Sequence, residues 1–340
     1  MYPLDERSRG PTVRISHLAE ELSHLVDLDV VAGYRGGRRV ELARYAASGR
    51  LRGLDGIYVE SSTFLPAEAD LAFLALARGL GIGVVTYVRD AYQLFPREYP
   101  ASSLRQRLGV AVFRPMLRAL RAVSTRLAFP TRGLADAVIG PDAGADALLL
   151  PPGAPPPVAI AREPGANRLL YVGDARLAAQ GVGRLLEAVQ LARDADLGIE
   201  LNLVTRAGGE PRPPHPAWLH LHHAEDSAIH ALLPRVAASV IPRPRSAYND
   251  LAMPIKLFDY LSYGRPLLVT DCIEQARVVA DGDAGVVSAD DPAAMATAIA
   301  AILRAPGEQL ERWAVNAHRL AGEASWGERA ARIVAVLGKT

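Results

Sequence analysis

Between residues 249 and 266, NDLAMPIKLFDYLSYGRP, a proline, a lysine and a carboxylate are spaced so that one helix could hold an anion. Pro254 suits the start of a helix, where its missing N–H leaves nothing unsatisfied. Ile255, Leu257, Phe258 and Leu261 then recur at helical spacing. Lys256 and Asp259, three residues apart, share a face of that helix. Gly264 ends it, Pro266 follows, and LLVT at 267–270 suits a buried parallel strand. The free N–H groups at a helix start attract anions by geometry and dipole. With Lys256 beside them the fitting anion is a nucleotide diphosphate, and Asp259 can take ribose hydroxyls.

The segment resembles the C-terminal donor-binding motif of GT-B glycosyltransferases, above all the retaining ones of the family 4 type. Their motif is a loop, a helix with an acidic residue, Ala/Ser-x-Gly-x-Pro and a strand. Asp259 and the close Ser262-Tyr263-Gly264-Arg265-Pro266 match it. The family's first acid falls at Leu251, with Asp250 one position away as the nearest carboxylate. A second stretch, YVGDARLAAQGVGRLLEAV at 171–189, is similar to the family's phosphate loop. Asp174 stands in the usual arginine place and Gln180 in the lysine place before Gly181, so the loop has lost charge. The resemblance implies that Gly173, Arg176 and Lys256 meet the phosphates, assisted by Arg243 or Arg245, with Pro254, Ile255 and Asp250 lining the donor. It also implies that Gly10-Pro11-Thr12 forms a loop closing over the donor from the first domain.

The fold implied is α/β of the GT-B kind: two Rossmann-like doubly wound domains, a cleft between them, and a C-terminal helix crossing back. The expected bounds are 1–157 for the acceptor domain, 158–322 for the donor domain and 323–340 for the returning helix. The implied reaction moves a sugar from a nucleoside-diphosphate sugar to an acceptor hydroxyl, with retention, without metal or cofactor. The acceptor would be a small molecule, a glycan or a lipid-linked sugar. Two rival readings are a nucleotide-sugar epimerase and a catalytically silent nucleotide-sugar-binding subunit. A Rossmann oxidoreductase is disfavoured, since no G-x-G-x-x-G follows a first strand.

Outside these motifs, Arg89-Asp90 closes the apolar run 84–88, the position where α/β sheets place ligand residues. Asp90 is the candidate contact or base for the acceptor hydroxyl, with a helix cap for 91–94 as the plain alternative. Glu60 with Ser61-Ser62 ends another strand in the same way. His215, His220, His222 and His223, with Glu225 and Asp226 nearby, match no recognised ligand spacing; a histidine cluster at a sheet end is the preferred reading over metal. Residues 104–132 hold seven arginines and no acid. Arg107, Arg114, Arg118 and Arg121 fall on one helical stripe, suited to a solvated face, to steering of an anionic substrate, or to peripheral contact with anionic lipid.

These residues must be positioned by two series of alternating elements. In the first half, helices are expected at 13–26, 67–80 and 104–121, with Pro115 kinking the last. Strands are expected at 28–32, 56–60, 84–88, 122–129 and 147–150. Residues 151–157, PPGAPPP, read as a semi-rigid connection. The second half offers strands at 169–172, 199–204, 218–221, 239–242, 267–270 and 285–288, and helices at 182–193, 227–233, 292–303 and 330–337. Such alternation argues for parallel sheets covered on both faces. Family members open with a strand before the glycine loop, whereas only MYPLDERSR precedes Gly10; either the first sheet lacks that strand or the chain start is truncated.

Composition bounds the rest. With 340 residues, half of them hydrophobic, and a net charge of +1, the chain is a globular protein of two ordinary domains and no overall nucleic-acid binder. The single cysteine, Cys272, excludes an internal disulfide and fits a reducing compartment. No apolar stretch suits a signal peptide or a membrane span, so a cytoplasmic location is expected, with the inner membrane face as a peripheral site. The Ala- and Arg-rich usage suggests a bacterial source.

Overall fold

The computed structural model describes residues 9–33, 35–61, 68–142, 147–223 and 226–338. The chain forms two compact units, 1–153 with 326–340 and 154–325. Each holds its own parallel sheet.

In the first unit the sheet runs in sequence order, β1 (Gly56–Glu60), β2 (Gly83–Tyr87), β3 (Arg126–Phe129) and β4 (Leu148–Leu149), all parallel. Right-handed crossovers between parallel strands that step steadily one way must leave every connecting helix on one face. Those helices are α3 (Glu68–Gly79), α4 (Leu104–Val123) and α5 (Arg132–Ile139). The other face is closed by α1 (Arg9–Leu25) and by α12 (Trp326–Leu337), the last helix of the chain, which pack on each other. Leu18 and Leu22 of α1, Val85 and Tyr87 of β2, and Ala330 and Ile333 of α12 share that core. Trp326 seals it at Gly153, where a Cβ would lie 2.3 Å from the indole.

Several expectations for this half are corrected. Residues 28–32 form no strand, and the described sheet starts at Gly56. Gly10, Pro11 and Thr12 lie in the first turn of α1, so they do not form the expected loop. Helix α2 (Arg35–Ala47), which carries no marked apolar periodicity, is held through Arg38, whose buried guanidinium donates to both oxygens of Asp70 at 2.9 and 2.7 Å. Pro115 does not break α4. Its missing N–H would have gone to the carbonyl of Ala111, and both residues lie on the exposed side, where that carbonyl is open to solvent.

The second unit has six parallel strands in the order β10-β9-β8-β5-β6-β7. They are β5 (Arg168–Val172), β6 (Glu200–Val204), β7 (Leu219–His222), β8 (Val236–Ile241), β9 (Leu267–Thr270) and β10 (Gly285–Ser288). Leu169 and Tyr171 of β5 face one core, with α6 (Val182–Asp194) and α10 (Pro292–Leu303). Leu170 and Val172 face the other, with α8 (Ile255–Ser262) and α11 (Gly307–Glu323). This two-sided burial is why the strands read as continuous apolar runs. The order reverses between β5 and β8, and ligands of such sheets bind outside the carboxyl ends at that reversal.

Candidate functional site

The carboxyl ends of β5 and β8 lead into Gly173 and Arg243, and the first turn of α8 lies over them. Pro254 occupies the N-cap of α8 rather than its first helical position, and no side chain caps this end. The Leu257 N–H donates to the Pro254 carbonyl at 3.1 Å, and among the described residues those of Ile255 and Lys256 are left to a ligand, as an anion site requires. The helix is pinned by Tyr260, whose hydroxyl accepts the Val172 N–H at 2.7 Å. One turn earlier, Lys256 Nζ lies 4.3 Å from the centroid of the Tyr171 ring. It donates to Gln180 Oε1 at 3.0 Å and to Tyr171 Oη at 3.3 Å. A Cβ on Gly173 would sit 2.8 Å from that ammonium, so the glycine makes room for it.

Thus the loop that has glutamine in place of lysine receives its cation from α8. Burial pushes the Lys256 ammonium down to about 7, the nearby Arg243 adds to this, and Asp259 opposes it. Burial also pushes the Tyr171 hydroxyl up, with Asp174 adding to it. Tyr171 therefore stays neutral and serves as a platform for the lysine.

Gly181 holds the two loops of the strand reversal together. Its φ is +74°, and a Cβ there would meet the carbonyl oxygen of Pro242 at 1.7 Å. Gly181→Ala is expected to cost about 2–3 kcal/mol through left-handed strain and separation of the loops, visible as a lower denaturant midpoint.

Arg243 is buried and donates through Nη2 to Asn249 Oδ1, and among the described residues its Nε has no partner. Its own carbonyl is held by Thr270 and Cys272. Asp250, the nearest stand-in for the family's first acid, is gripped by Arg245 through two bonds of 2.7 and 2.9 Å. Arg245 also reaches Asp271 at 3.2 Å. Asp250 thus stands in an ion-pair network. Arg176 is exposed and turned to Asp174, whose carboxylate accepts the Arg176 N–H at 2.9 Å. The structure therefore gathers Gly173, Lys256 and Arg243, with Asp259 and Ile255 on the same first turns of α8 or just beyond.

Tyr171, Tyr260 and the pairing of Gln180 with Lys256 were not read from the sequence. Two signals exist in hindsight: Tyr171 is the next-to-last residue of an apolar strand that leads into Gly173, and Tyr260 follows Lys256 by four residues.

The other sequence candidates lie elsewhere. Asp90 follows β2 and accepts from Arg89 Nε at 2.7 Å. The short 3-10 turn after it, Tyr92–Leu94, has Ala91 as N-cap, so Asp90 is not its cap. Glu60 is buried and bound to Arg14 of α1 at 2.9 Å, which makes it a core ion pair rather than a sheet-end ligand group. Ser62 and Glu225 lie outside the described residues. On β7, His220 contacts Glu200 at 2.9 Å and His222 contacts Asn202 at 3.1 Å, both on β6, while His223 meets Glu210 at 3.3 Å. Each ring has a different partner, and no metal-holding group of three or more such residues occurs among the described residues.

Residues 166–305, from β5 through α10, match the family described as Glycosyl transferases group 1. No curated protein matches the chain. Among solved structures, a sucrose-phosphate synthase from Thermosynechococcus elongatus superposes with a TM-score of 0.62 at 14% identity, covering 96% of this chain and 92% of that one. An α,α-trehalose-phosphate synthase (UDP-forming) from Burkholderia xenovorans gives 0.60 at 14%, covering 97% and 83%. WaaG, a glycosyltransferase involved in lipopolysaccharide biosynthesis, gives 0.60 at 17%, covering 95% of each chain. At these identities the likeness is one of fold. The chain as a whole thus has the GT-B fold, and residues 166–305 match the Glycosyl transferases group 1 family.

Proposed function

We propose that the protein transfers a sugar from a nucleoside-diphosphate sugar to an acceptor hydroxyl, with retention of anomeric configuration and without metal or cofactor. The observation that carries the donor assignment is the Lys256 ammonium, set beside Gly173 and the uncapped start of α8 at the strand reversal of a Rossmann sheet. A leaving diphosphate needs its growing charge stabilised, and fixed N–H dipoles with a cation do so without reorganisation. Lys256 and the α8 amides take the phosphates in this reading, Asp259 the ribose, and Asp90 the acceptor hydroxyl.

Nucleotide and nucleotide-sugar titration by calorimetry tests the donor assignment. Asp259→Ala is expected to weaken nucleotide binding about tenfold, the worth of one hydrogen bond to a charged group. Unchanged affinity would remove Asp259 from the site. Release of nucleotide only when an acceptor is present separates transfer from epimerisation, and no release at all marks a silent binding subunit.

Peripheral contact with anionic membrane belongs to the same proposal. On α4, Leu104, Leu108 and Val112 are 74%, 58% and 49% exposed, successive steps of four residues along one side. Arg107, Arg114 and Arg118 flank them and are exposed too. An apolar stripe open to solvent beside a basic ridge is the arrangement of an interfacial helix. Among the described residues no helix is long and apolar enough to cross a membrane.

A further inference from the structure

The carboxyl edge of the first sheet holds a guanidinium that the fold leaves without a carboxylate. Arg329 lies in the first turn of α12, on the side of Trp326 and Ile333, which face the core. It is 6% exposed. Its one bond among the described residues is long, from Nε to the Pro152 carbonyl at 3.4 Å, just beyond β4. An arginine buried in this way costs stability that an apolar side chain would not. Burial, then Arg332 and Arg14, push its guanidinium down to about 10, with Glu328 opposing them. It stays charged at pH 7 all the same.

The nearby carboxylates are engaged elsewhere. Glu60 is bonded to Arg14 and Tyr58, and Asp90 accepts from Arg89. Glu328 is exposed.

Tyr87, the last residue of β2, lies close enough to act on Arg329. The Arg14 guanidinium covers its ring at 3.8 Å. Burial pushes the Tyr87 hydroxyl up, so it remains a neutral O–H donor. Among the described residues neither this hydroxyl nor the Nη atoms of Arg329 have a hydrogen-bond partner, and none of these atoms is sealed from solvent, unlike Nη1 of Arg14. The little surface that the two side chains keep therefore includes their donor atoms. A guanidinium fork and a phenol with nothing to donate to suit one oxyanion.

We propose that Arg329 and Tyr87 receive an oxyanion carried by the acceptor, a phosphate or a carboxylate, so that the acceptor is an acidic molecule with its hydroxyl toward Asp90. This rests on the reading that sets the acceptor at this edge. Asp90 follows Tyr87 by three residues and acts on its hydroxyl.

Calorimetric titration of the full chain with inorganic phosphate and with acetate, at fixed ionic strength in chloride, tests it. Saturable binding of one of them is expected, and the anion that binds tells which group the acceptor carries. Binding should persist in Lys256→Met, which alters the second unit. It should fall about tenfold in Arg329→Met and in Tyr87→Phe, each of which removes a bond to the anion. Without anion, Arg329→Met should melt no lower than wild type, since it removes a buried charge that has no counter-ion. No binding, or binding unchanged in either variant, overturns the proposal. So does a lower melting point for Arg329→Met, which would make the arginine a structural tie to Pro152. Loss confined to Lys256→Met would put the anion at the nucleotide site and overturns it too. Acceptor-dependent nucleotide release is read separately. Release without anion binding at Arg329 sinks this proposal alone. Anion binding without release from any donor sinks the transfer reading, and the acceptor role with it.

Discussion

Lys256→Met is expected to weaken nucleotide-sugar binding about 100-fold while making the protein more stable. The loss follows from removing a charge-assisted bond to the diphosphate, worth about 2–3 kcal/mol. The gain follows from the other side of the same residue: its ammonium is packed among Tyr171, Gly173 and Gln180 with Arg243 nearby, a setting that disfavours charge. The folded lysine titrates at about 7 and the unfolded one near the ordinary value of 10.5. Between those values the unfolded chain holds more protons, so wild-type stability rises with pH across that window and is penalised in full below it. The methionine variant lacks the penalty and should gain on the order of 1–3 kcal/mol at pH 6, with little gain at pH 10. Donor binding runs the opposite way, because the protonated lysine is the form that meets a diphosphate. From pH 6 to 8 the protonated fraction of a group at about 7 falls roughly tenfold, and affinity should follow. A nucleotide sugar is the proper ligand here, since a terminal phosphate would itself titrate near pH 6. A pH-independent Kd, or a variant less stable than wild type, would contradict this account of Lys256.

In the first unit, Glu60→Ala is expected to cost about 3–5 kcal/mol, because it strands a buried guanidinium. Arg14 is 1% exposed and stacks on the Tyr87 ring at 3.8 Å. Its Nε bonds Glu60 at 2.9 Å, and its Nη2 reaches Tyr58 at 3.3 Å. Tyr58 in turn donates to Glu60 at 2.6 Å. Glu60→Gln keeps an acceptor and should lose less. The pair Arg14→Met with Glu60→Leu removes both charges and should recover most of the loss, since an apolar replacement of a buried ion pair is often neutral. Urea midpoints read all three. A loss below about 1 kcal/mol in Glu60→Ala would mean that the guanidinium finds water or another acceptor.

The second unit was readable nearly strand by strand, and the first only in part. Strands 267–270 and 285–288 and helix 292–303 appear with the bounds that their apolar runs, Gly264 and Pro292 implied. There the sheet is buried on both faces, so apolar runs and turn residues coincide with element ends. Residues 28–32 are apolar apart from Asp29, which binds Tyr45 and Arg50 instead, and they pair with no strand among the described residues, because pairing needs a neighbour and a run cannot name one. Helix α2 was missed since it is held by the Arg38–Asp70 pair, and a single ion pair between distant residues leaves no periodicity to read.

By itself the sequence determined the chemistry on offer: a helix start with Lys256 and Asp259, a glycine loop short of charge, and a family resemblance that follows from both. The tertiary structure alone decided which groups meet. It brought Lys256 to Gln180, across 76 positions of chain. It buried Glu60 against Arg14, and it took Asp250 into the grip of Arg245. Spacing along a helix fixes which side chains share a face, but the partner across the sheet depends on strand order, and strand order is set by the packing of whole helices.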